Sequence, residues 1–357
     1  MIKSLGVARR RRETMEINNR ANFVDFGRFF FAFCIVAIHS GLSRDFPNSD
    51  LLPYLLAIAV PFFFICSGYF LSLKLIKFQD DLAGYRDTIK KYFMRLAIPY
   101  CVWGSWYFSI SIFKALGAKE PSEEIVFCLK AWFFSSPGGG LWYVQTILAL
   151  LVIMWFIGNR KRYLGILTLI LLASFWLCVL AARSADSSAA LTYLKECVFT
   201  EDYMRFNFAT RGIFFMAGVY WAQWRGARSE SKPRGVAALV CAGVLSGIVA
   251  APCVADSVRP SLVAAWTCSL ILVPVLVFEG LLQIKGLSAN VGLRMRKMSS
   301  IIYFTHMTFV MLVPAALRLA GVTPSPTLIF ATASGAAFLL ALVLSEIKNI
   351  RWLSKIF

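Results

Sequence analysis

Residues 24–43 read VDFGRFFFAFCIVAIHSGLS, an apolar run that contains an acid, Asp25, and two basic side chains, Arg28 and His39. Hydrocarbon offers no partners to backbone N–H and C=O groups, so an apolar run of about 20 residues is predicted to cross a bilayer as an α-helix. Ionisable groups are costly in that setting and usually face a cavity or a partner. This segment therefore predicts a membrane helix that carries functional groups.

The rest of the chain has the same character. Its 357 residues are 59% hydrophobic and 16% charged, which excludes disordered, collagen-like and disulfide-scaffold proteins and argues against a soluble enzyme. We predict an all-α, polytopic transmembrane bundle of about ten spans, residues 24–346, between basic segments 1–23 and 347–357. The predicted spans are 24–43, 52–74, 94–114, 140–158, 163–182, 206–224, 236–252, 260–280, 299–317 and 326–346.

The distribution of Lys and Arg sets the predicted orientation. A net charge of +18 would suggest nucleic acid in a soluble protein, but here the cations lie between the apolar runs, so no nucleic-acid partner is expected. With the N-terminus in the cytoplasm, 26 of the 37 Lys and Arg fall on the cytoplasmic side, as the positive-inside rule requires. An even number of spans then places both termini in the cytoplasm.

Several kinds of site are absent from the sequence. It has no Walker loop, dinucleotide glycine pattern, paired Cys-x-x-Cys or His-Glu-x-x-His, which argues against an ATP-driven pump, a Rossmann enzyme and a zinc protease. Two histidines cannot supply a three-histidine site, so no metal is expected.

The first span places two of its ionisable groups on one face. Arg28 and His39 are eleven positions apart, which at about 100° per residue nearly closes three turns. Their separation along the helix axis is roughly 16 Å at about 1.5 Å per residue. A lone membrane histidine can serve simply as an interhelical hydrogen-bonding group, and this alternative applies to both His39 and His306.

Six segments in order carry a resemblance to a known family. They are Asp25-x-x-Arg28 with His39 eleven residues after the arginine, PFFFICSGY (61–69), RLAIPY (95–100), GLWYV (140–144), RGIFFMAG (211–218) and SIIYFTH (300–306). Together they resemble the acyltransferase type 3 family of integral-membrane enzymes, which O-acylate cell-surface glycans and some other acceptors. Two positions depart from the family pattern: Tyr92 stands where many members have arginine, and Gly140 where a histidine often precedes Leu-Trp.

The resemblance implies a reaction. We expect transfer of an acyl group, most simply acetyl, from cytoplasmic acetyl-CoA or another acyl-CoA to a hydroxyl of an envelope polysaccharide or lipid-linked sugar, in the bacterial cytoplasmic membrane. His39 would act as the general base, or alternatively carry the acyl group covalently. Arg28, Lys91 and Arg95 would bind the anionic donor. The alternative is that these cations only set the orientation of the chain in the membrane and contact lipid phosphates.

The other motif residues have less specific expected roles. Arg211, inside a predicted span, is expected to contact substrate or to find a partner. Trp142 and Tyr143 begin a span at the outer interface, where they form either an aromatic belt or a platform on which a sugar stacks.

Supporting roles are expected for four residues. Asp25 can hold Arg28 across one helical turn, and Ser67, with the glycine after it, can permit close helix approach or a bend. Tyr303 and His306 are expected to serve as a structural pair, with His306 bonding another span.

A second function class explains buried charges and many spans equally well. It is a transporter or exporter of a glycan or of an acylated intermediate. A third reading is a membrane-embedded sensor or partner of a synthase complex, which predicts no thioester turnover. Replacing His39 by alanine separates the classes, because it should abolish acyl transfer and leave a transporter's substrate binding partly intact.

Overall fold

The computed structural model describes residues 22–116 except 48 and 50, then 121–134, 140–184, 208–227, 260–347 and the single residues 238, 241, 242, 245 and 357. Within these ranges the chain is helical and no strand occurs. The predicted cytoplasmic segment 1–21, the predicted span 236–252 and most of the basic tail 348–356 lie outside the described residues.

Eleven α-helices lie within the described ranges, and two short 3₁₀ turns follow the first and third of them. The helices are α1 (Asn22–Ser40), α2 (Leu51–Ala57), α3 (Ala59–Leu75), α4 (Leu82–Ala115), α5 (Pro121–Phe134), α6 (Trp142–Ile157), α7 (Lys161–Ser184), α8 (Phe208–Ala227), α9 (Pro260–Gln283), α10 (Ala289–Leu319) and α11 (Pro326–Glu346).

Helix beginnings follow local chemistry. The side chain of Asp81 accepts the N–H of Gly84 at 2.9 Å where α4 begins. Ser288 and Ser325 accept backbone N–H groups in the same way at the beginnings of α10 and α11, and Pro326 occupies the first turn of α11. These residue types satisfy the N–H groups that a helix leaves without internal partners.

Among the described residues, six helical segments are long and apolar enough to cross a membrane. They are α1, the α2–α3 pair with its 3₁₀ turn, α4, residues 161–178 of α7, α10 and α11. Exposed side chains such as Phe113 and Leu319, 80% and 91% exposed, show that much of their apolar surface faces outward. The polytopic helical class is confirmed, and the ten-span count with cytoplasmic termini stays a prediction.

The chain divides into two compact units. Unit 1 comprises Met1–Phe63 and Arg228–Lys348, and unit 2 comprises Phe64–Ala227 and Asn349–Phe357. The division falls within α3, between Phe63 and Phe64. Each unit is described below by itself.

Unit 1 is centred on the contact between α1 and α10. These two helices run in the same direction, because Asp25 meets Arg296 near the start of both helices and His39 faces His306 further along. Helix α11 runs against them, since Asp45, just after α1, accepts the N–H of Thr327 at the start of α11. Unit 1 therefore holds α1 between a parallel and an antiparallel neighbour.

Unit 2 contains a very close contact between α3 and α8. A Cβ added to Gly68 would lie 2.0 Å from the carbonyl oxygen of Phe215, and one added to Gly218 would lie 2.2 Å from that of Ile65. Only glycine fits at these two positions, so the two backbones approach as small residues allow in membrane helices. Gly68 belongs to the Ser67–Gly68 step, for which the sequence predicts close helix approach or a bend.

Candidate functional site

A buried carboxylate organises the first end of α1. Asp25 is 1% exposed and accepts two hydrogen bonds from Arg296, from Nε at 2.9 Å and from Nη2 at 2.6 Å. A two-point contact of this kind fixes the guanidinium plane as well as its charge. Burial of Asp25 is tolerable because the carboxylate is paired and hydrogen-bonded.

Arg28 lies one turn further along α1 and is less tightly bound to the same carboxylate. Its Nη1 lies 3.9 Å from Asp25 Oδ1, and its backbone oxygen accepts the hydroxyl of Ser299 at 2.9 Å. The sequence predicts that Asp25 holds Arg28, whereas the close pair in the structure is Asp25 with Arg296. Asp25 therefore lies within ion-pair distance of both Arg28 and Arg296.

The second end of the α1 face carries a histidine pair. The ring centres of His39 and His306 are 5.1 Å apart, with His39 half-buried and His306 fully buried. The Nδ1 of His306 lies 2.6 Å from the carbonyl oxygen of Tyr303. This Nδ1 contact lies within α10, and the predicted bond from His306 to another span stays a prediction.

Tyr303 closes one side of this pair. Its ring centre is 5.9 Å from that of His306 and 6.3 Å from that of Phe63. Phe63 and Tyr303 are both buried, and the ring of Tyr303 neighbours both His306 and Phe63.

Unit 2 brings two of the other predicted residues together. The hydroxyl groups of Ser67 and Tyr143 are 2.6 Å apart, and the ring of Tyr143 lies edge-on to Phe64 with centres 4.7 Å apart. Tyr143 is buried and Trp142 is half-buried. Ser67 and Tyr143 therefore join α3 to α6 as an internal polar contact, and of the two aromatic residues Trp142 has the greater exposed surface.

The predicted donor cations of α4 are exposed and locally paired. Lys91 Nζ lies 2.6 Å from Asp87 Oδ2, one turn earlier on the helix. The guanidinium of Arg95 lies over the ring of Tyr92 at 5.5 Å. Tyr92, which departs from the family pattern, thus supplies a stacking surface for Arg95.

Arg211 lies in the first turn of α8 and is half-buried near the thiol of Cys178 on α7. It forms no ion pair with an acid in the described part of the chain. The predicted contact of Arg211 with substrate stays a prediction.

Arg296 is the functional candidate that the sequence does not single out. Arg296 lies in a cationic stretch whose charge is explained by the predicted cytoplasmic location alone, and it is 271 residues from Asp25 in the sequence. The sequence does carry one indication: an acid inside a membrane span, such as Asp25, requires a cationic partner. Arg296, near the start of the neighbouring helix α10, is that partner.

The arrangement in unit 1 allows base chemistry at one end of α1 and anion binding at the other. A half-buried imidazole can take a proton from a hydroxyl group, and two guanidinium groups can bind phosphate oxygens. No group of three His, Cys, Asp or Glu side chains suited to a metal occurs among the residues with a described position.

Two comparisons bear on this geometry. Residues 21–346 match the protein family described as Acyltransferase domain. A relative described as Amino-acid racemase, from Enterococcus faecalis, is 30% identical over 151 residues, which cover 38% of this chain and 20% of that protein. The match thus spans about a fifth of the racemase's length. No solved structure has a significant match to the chain.

Proposed function

The chain belongs to this acyltransferase family, and on that premise we propose that it is an integral-membrane O-acyltransferase acting from acyl-CoA on a sugar hydroxyl. Family membership, together with the apolar helices, makes the protein a multi-pass membrane acyltransferase. The acyl group we propose is acetyl, the acceptor is an envelope polysaccharide or lipid-linked sugar, and the compartment is the bacterial cytoplasmic membrane.

One observation supports this assignment most directly: a half-buried histidine and a cationic end share one helix. His39 and Arg28 both lie on α1, and α10 adds a second member at each end, His306 and Arg296. An acyl-CoA is long, with anionic phosphates far from its thioester. Phosphates at the arginines would leave the thioester free to extend towards His39.

In the proposed step, His39 acts as the general base. The acceptor hydroxyl gives its proton to His39 as its oxygen bonds to the thioester carbonyl carbon, and the C–S bond then breaks. The thiolate of CoA leaves and takes the proton from His39. Such proton transfer contributes roughly 10² to 10⁴ in rate.

The donor side of the proposal rests on charge. Arg28 and Arg296 are both partly exposed, and both lie within ion-pair distance of Asp25. Guanidinium groups bind phosphate oxygens through paired N–H donors, so a phosphate can be held by both side chains. Lys91 and Arg95 on α4 are proposed as further donor contacts, and Arg211 and Trp142 as acceptor contacts.

The experiment measures CoA release from acetyl-CoA by purified protein in nanodiscs. We expect slow release by the wild type and a fall of roughly 10² or more in His39→Ala, because the base is lost. Arg44→Gln is the control, since Arg44 is an exposed arginine just beyond α1. Label retained on the wild-type protein would favour His39 as an acyl carrier over a base.

The transporter alternative gives a different result in the same assay. A transporter or exporter would bind its substrate without releasing CoA, and His39→Ala would leave that binding partly intact. The racemase match adds no competing proposal, because most of that protein lies outside the matched segment.

A further inference from the structure

His306 has a fixed tautomer. Its Nδ1 faces the carbonyl oxygen of Tyr303 at 2.6 Å, and a carbonyl oxygen can only accept, so Nδ1 carries the proton. The lone pair is therefore on Nε2. This assignment follows from the hydrogen-bond partner, as tautomers are assigned in general.

The lone pair of Nε2 is buried and unused. His306 is 1% exposed, and Nε2 has no hydrogen-bond partner among the residues that the structure describes. Buried polar atoms are nearly always paired, so an unpaired acceptor beside a candidate active site needs a reason. A donor that arrives only during the reaction would supply one.

His39 is the donor at hand. Its ring centre is 5.1 Å from that of His306, a separation at which facing ring nitrogens can come within hydrogen-bond reach, about 3 Å. His39 is half-buried, whereas His306 is fully buried. Catalytic hydrogen bonds often tighten only when substrate is bound.

We propose that His306 is a positioning residue for His39, and this inference rests on the proposed acyltransferase function. Nε2 of His306 accepts the N–H of His39, which turns the other nitrogen of His39 towards the acceptor hydroxyl. When His39 takes the hydroxyl proton, the same bond stabilises its imidazolium form. The carbonyl of Tyr303, His306 and His39 then form a chain in which each member orients the next.

The protons balance in this scheme. His306 keeps its own proton on Nδ1 throughout, and it neither gains nor loses one. His39 gains a proton from the hydroxyl group and returns it to the thiolate of CoA as the C–S bond breaks. His306 therefore acts only through His39.

Two substitutions separate the nitrogens of His306. An asparagine at this position retains an N–H that can bond the Tyr303 carbonyl but places nothing at Nε2, whereas a glutamine places an amide near Nε2. The matched control is Thr305→Val, because Thr305 is equally buried and its hydroxyl donates to the Ile301 carbonyl within α10. All variants are compared with the wild type in nanodiscs.

We expect His306→Asn to lower kcat for CoA release roughly 10- to 100-fold, with the KM for acetyl-CoA within about twofold, as is typical when a group that orients another is lost. His306→Gln should recover part of this loss, and Thr305→Val should match the wild type. In a His39→Ala background, His306→Asn should cause no further loss, because its effect passes through His39.

A spectroscopic measurement reads the contact without turnover. The chain has two histidines, so ¹⁵N-histidine NMR of the protein in nanodiscs gives two imidazoles, assigned by single substitution. We expect His306 to carry its proton on Nδ1. With a non-hydrolysable acetyl-CoA analogue bound, the nitrogen signals of His39 should differ between the wild type and His306→Asn, and Thr305→Val should match the wild type.

The outcomes are distinguishable. If the wild type releases no CoA, the proposed function fails, while unchanged His39 signals in His306→Asn separately overturn the pairing. If the wild type is active and His306→Asn equals it, the inference fails and the function stands.

A further loss on top of His39→Ala would assign His306 to the substrate itself and overturn the positioning role. If His306→Asn does not fold, a glutamine variant with no greater activity than His306→Ala contradicts the proposal.

Discussion

At the scale of residues, the proposed donor site depends on how Asp25 divides its charge between two arginines. Asp25 binds Arg296 at two points and lies 3.9 Å from Arg28. Arg28→Gln and Arg296→Gln should each raise the KM for acetyl-CoA about tenfold or more, because a hydrogen bond to a charged group contributes about 1.5–3 kcal/mol. The kcat should change less, since Arg28 and Arg296 lie near the starts of α1 and α10, whereas His39 lies near the end of α1. Steady-state CoA release measures both constants.

The matched control for these arginines is Arg294→Gln. Arg294 lies on the same helix as Arg296 and forms an exposed ion pair with Glu346 at 2.7 Å. Exposed pairs contribute little, about 0–1 kcal/mol, so this variant should keep the wild-type KM. An unchanged KM for acetyl-CoA in both Arg28→Gln and Arg296→Gln would contradict the proposal that the donor phosphates bind at this end of α1.

The sequence predicts some of these residues and misses another for a physical reason. Arg28 and His39 can be placed on one face because eleven residues on one helix fix their angle. The pairing of Asp25 with Arg296 depends on which helix lies beside α1, and the spacing of residues within a helix carries no information about its neighbour. The same limit applies to His306, whose closeness to His39 appears only when α1 and α10 pack together.

At the scale of elements, the α3–α8 contact in unit 2 yields a stability prediction. Gly68→Ala and Gly218→Ala should each lower the thermal midpoint in detergent, because the added Cβ would lie 2.0 or 2.2 Å from a backbone carbonyl oxygen. Overpacking of this kind costs about 1–3 kcal/mol. Thermal unfolding followed by circular dichroism or by a thiol probe checks the change.

Gly165→Ala and Gly335→Ala are the controls for this contact. Both glycines lie within helices and have nothing within 4 Å of an added Cβ. Alanine is the better helix former, so these variants should be neutral or slightly stabilising. Equal destabilisation of all four variants would show that the loss of glycine, and not the close approach, sets the effect.

Helix positions were predictable from apolar runs, and helix ends were less so. The predicted span 94–114 lies within α4, which begins twelve residues earlier at Leu82. Hydropathy reports the part of a helix that crosses hydrocarbon, whereas the Asp81 cap decides where it begins. The predicted span 52–74 is divided near Ala57, because Pro61 has no N–H to offer the Ala57 carbonyl.

At the scale of the whole molecule, the directions of α1 and α10 constrain the topology. Because the two helices are parallel, both can cross a membrane only if an odd number of spans separates them. Seven spans separate them in the ten-span prediction, which is consistent with this requirement. The ends of α1 and α10 should therefore emerge on the same side.

Cysteine labelling in intact cells checks this topology, in a background in which the nine native cysteines are replaced. Arg44→Cys and Thr323→Cys follow α1 and α10, and both should react with an impermeant maleimide from outside. Lys77→Cys and Lys285→Cys should react only after the membrane is permeabilised. Labelling of Arg44→Cys and Thr323→Cys from opposite sides would contradict parallel crossing.

The most direct measurement of the central claim counts both products of the proposed reaction. Acetyl-labelled acetyl-CoA is supplied to the protein in membranes that contain envelope polysaccharide, and free CoA and labelled O-acetyl ester are measured in the same sample. We predict one ester formed for each CoA released above the background hydrolysis, and loss of both in His39→Gln with the folded protein retained. CoA release without ester, or ester formation that persists in His39→Gln, would contradict a membrane O-acyltransferase that works through His39.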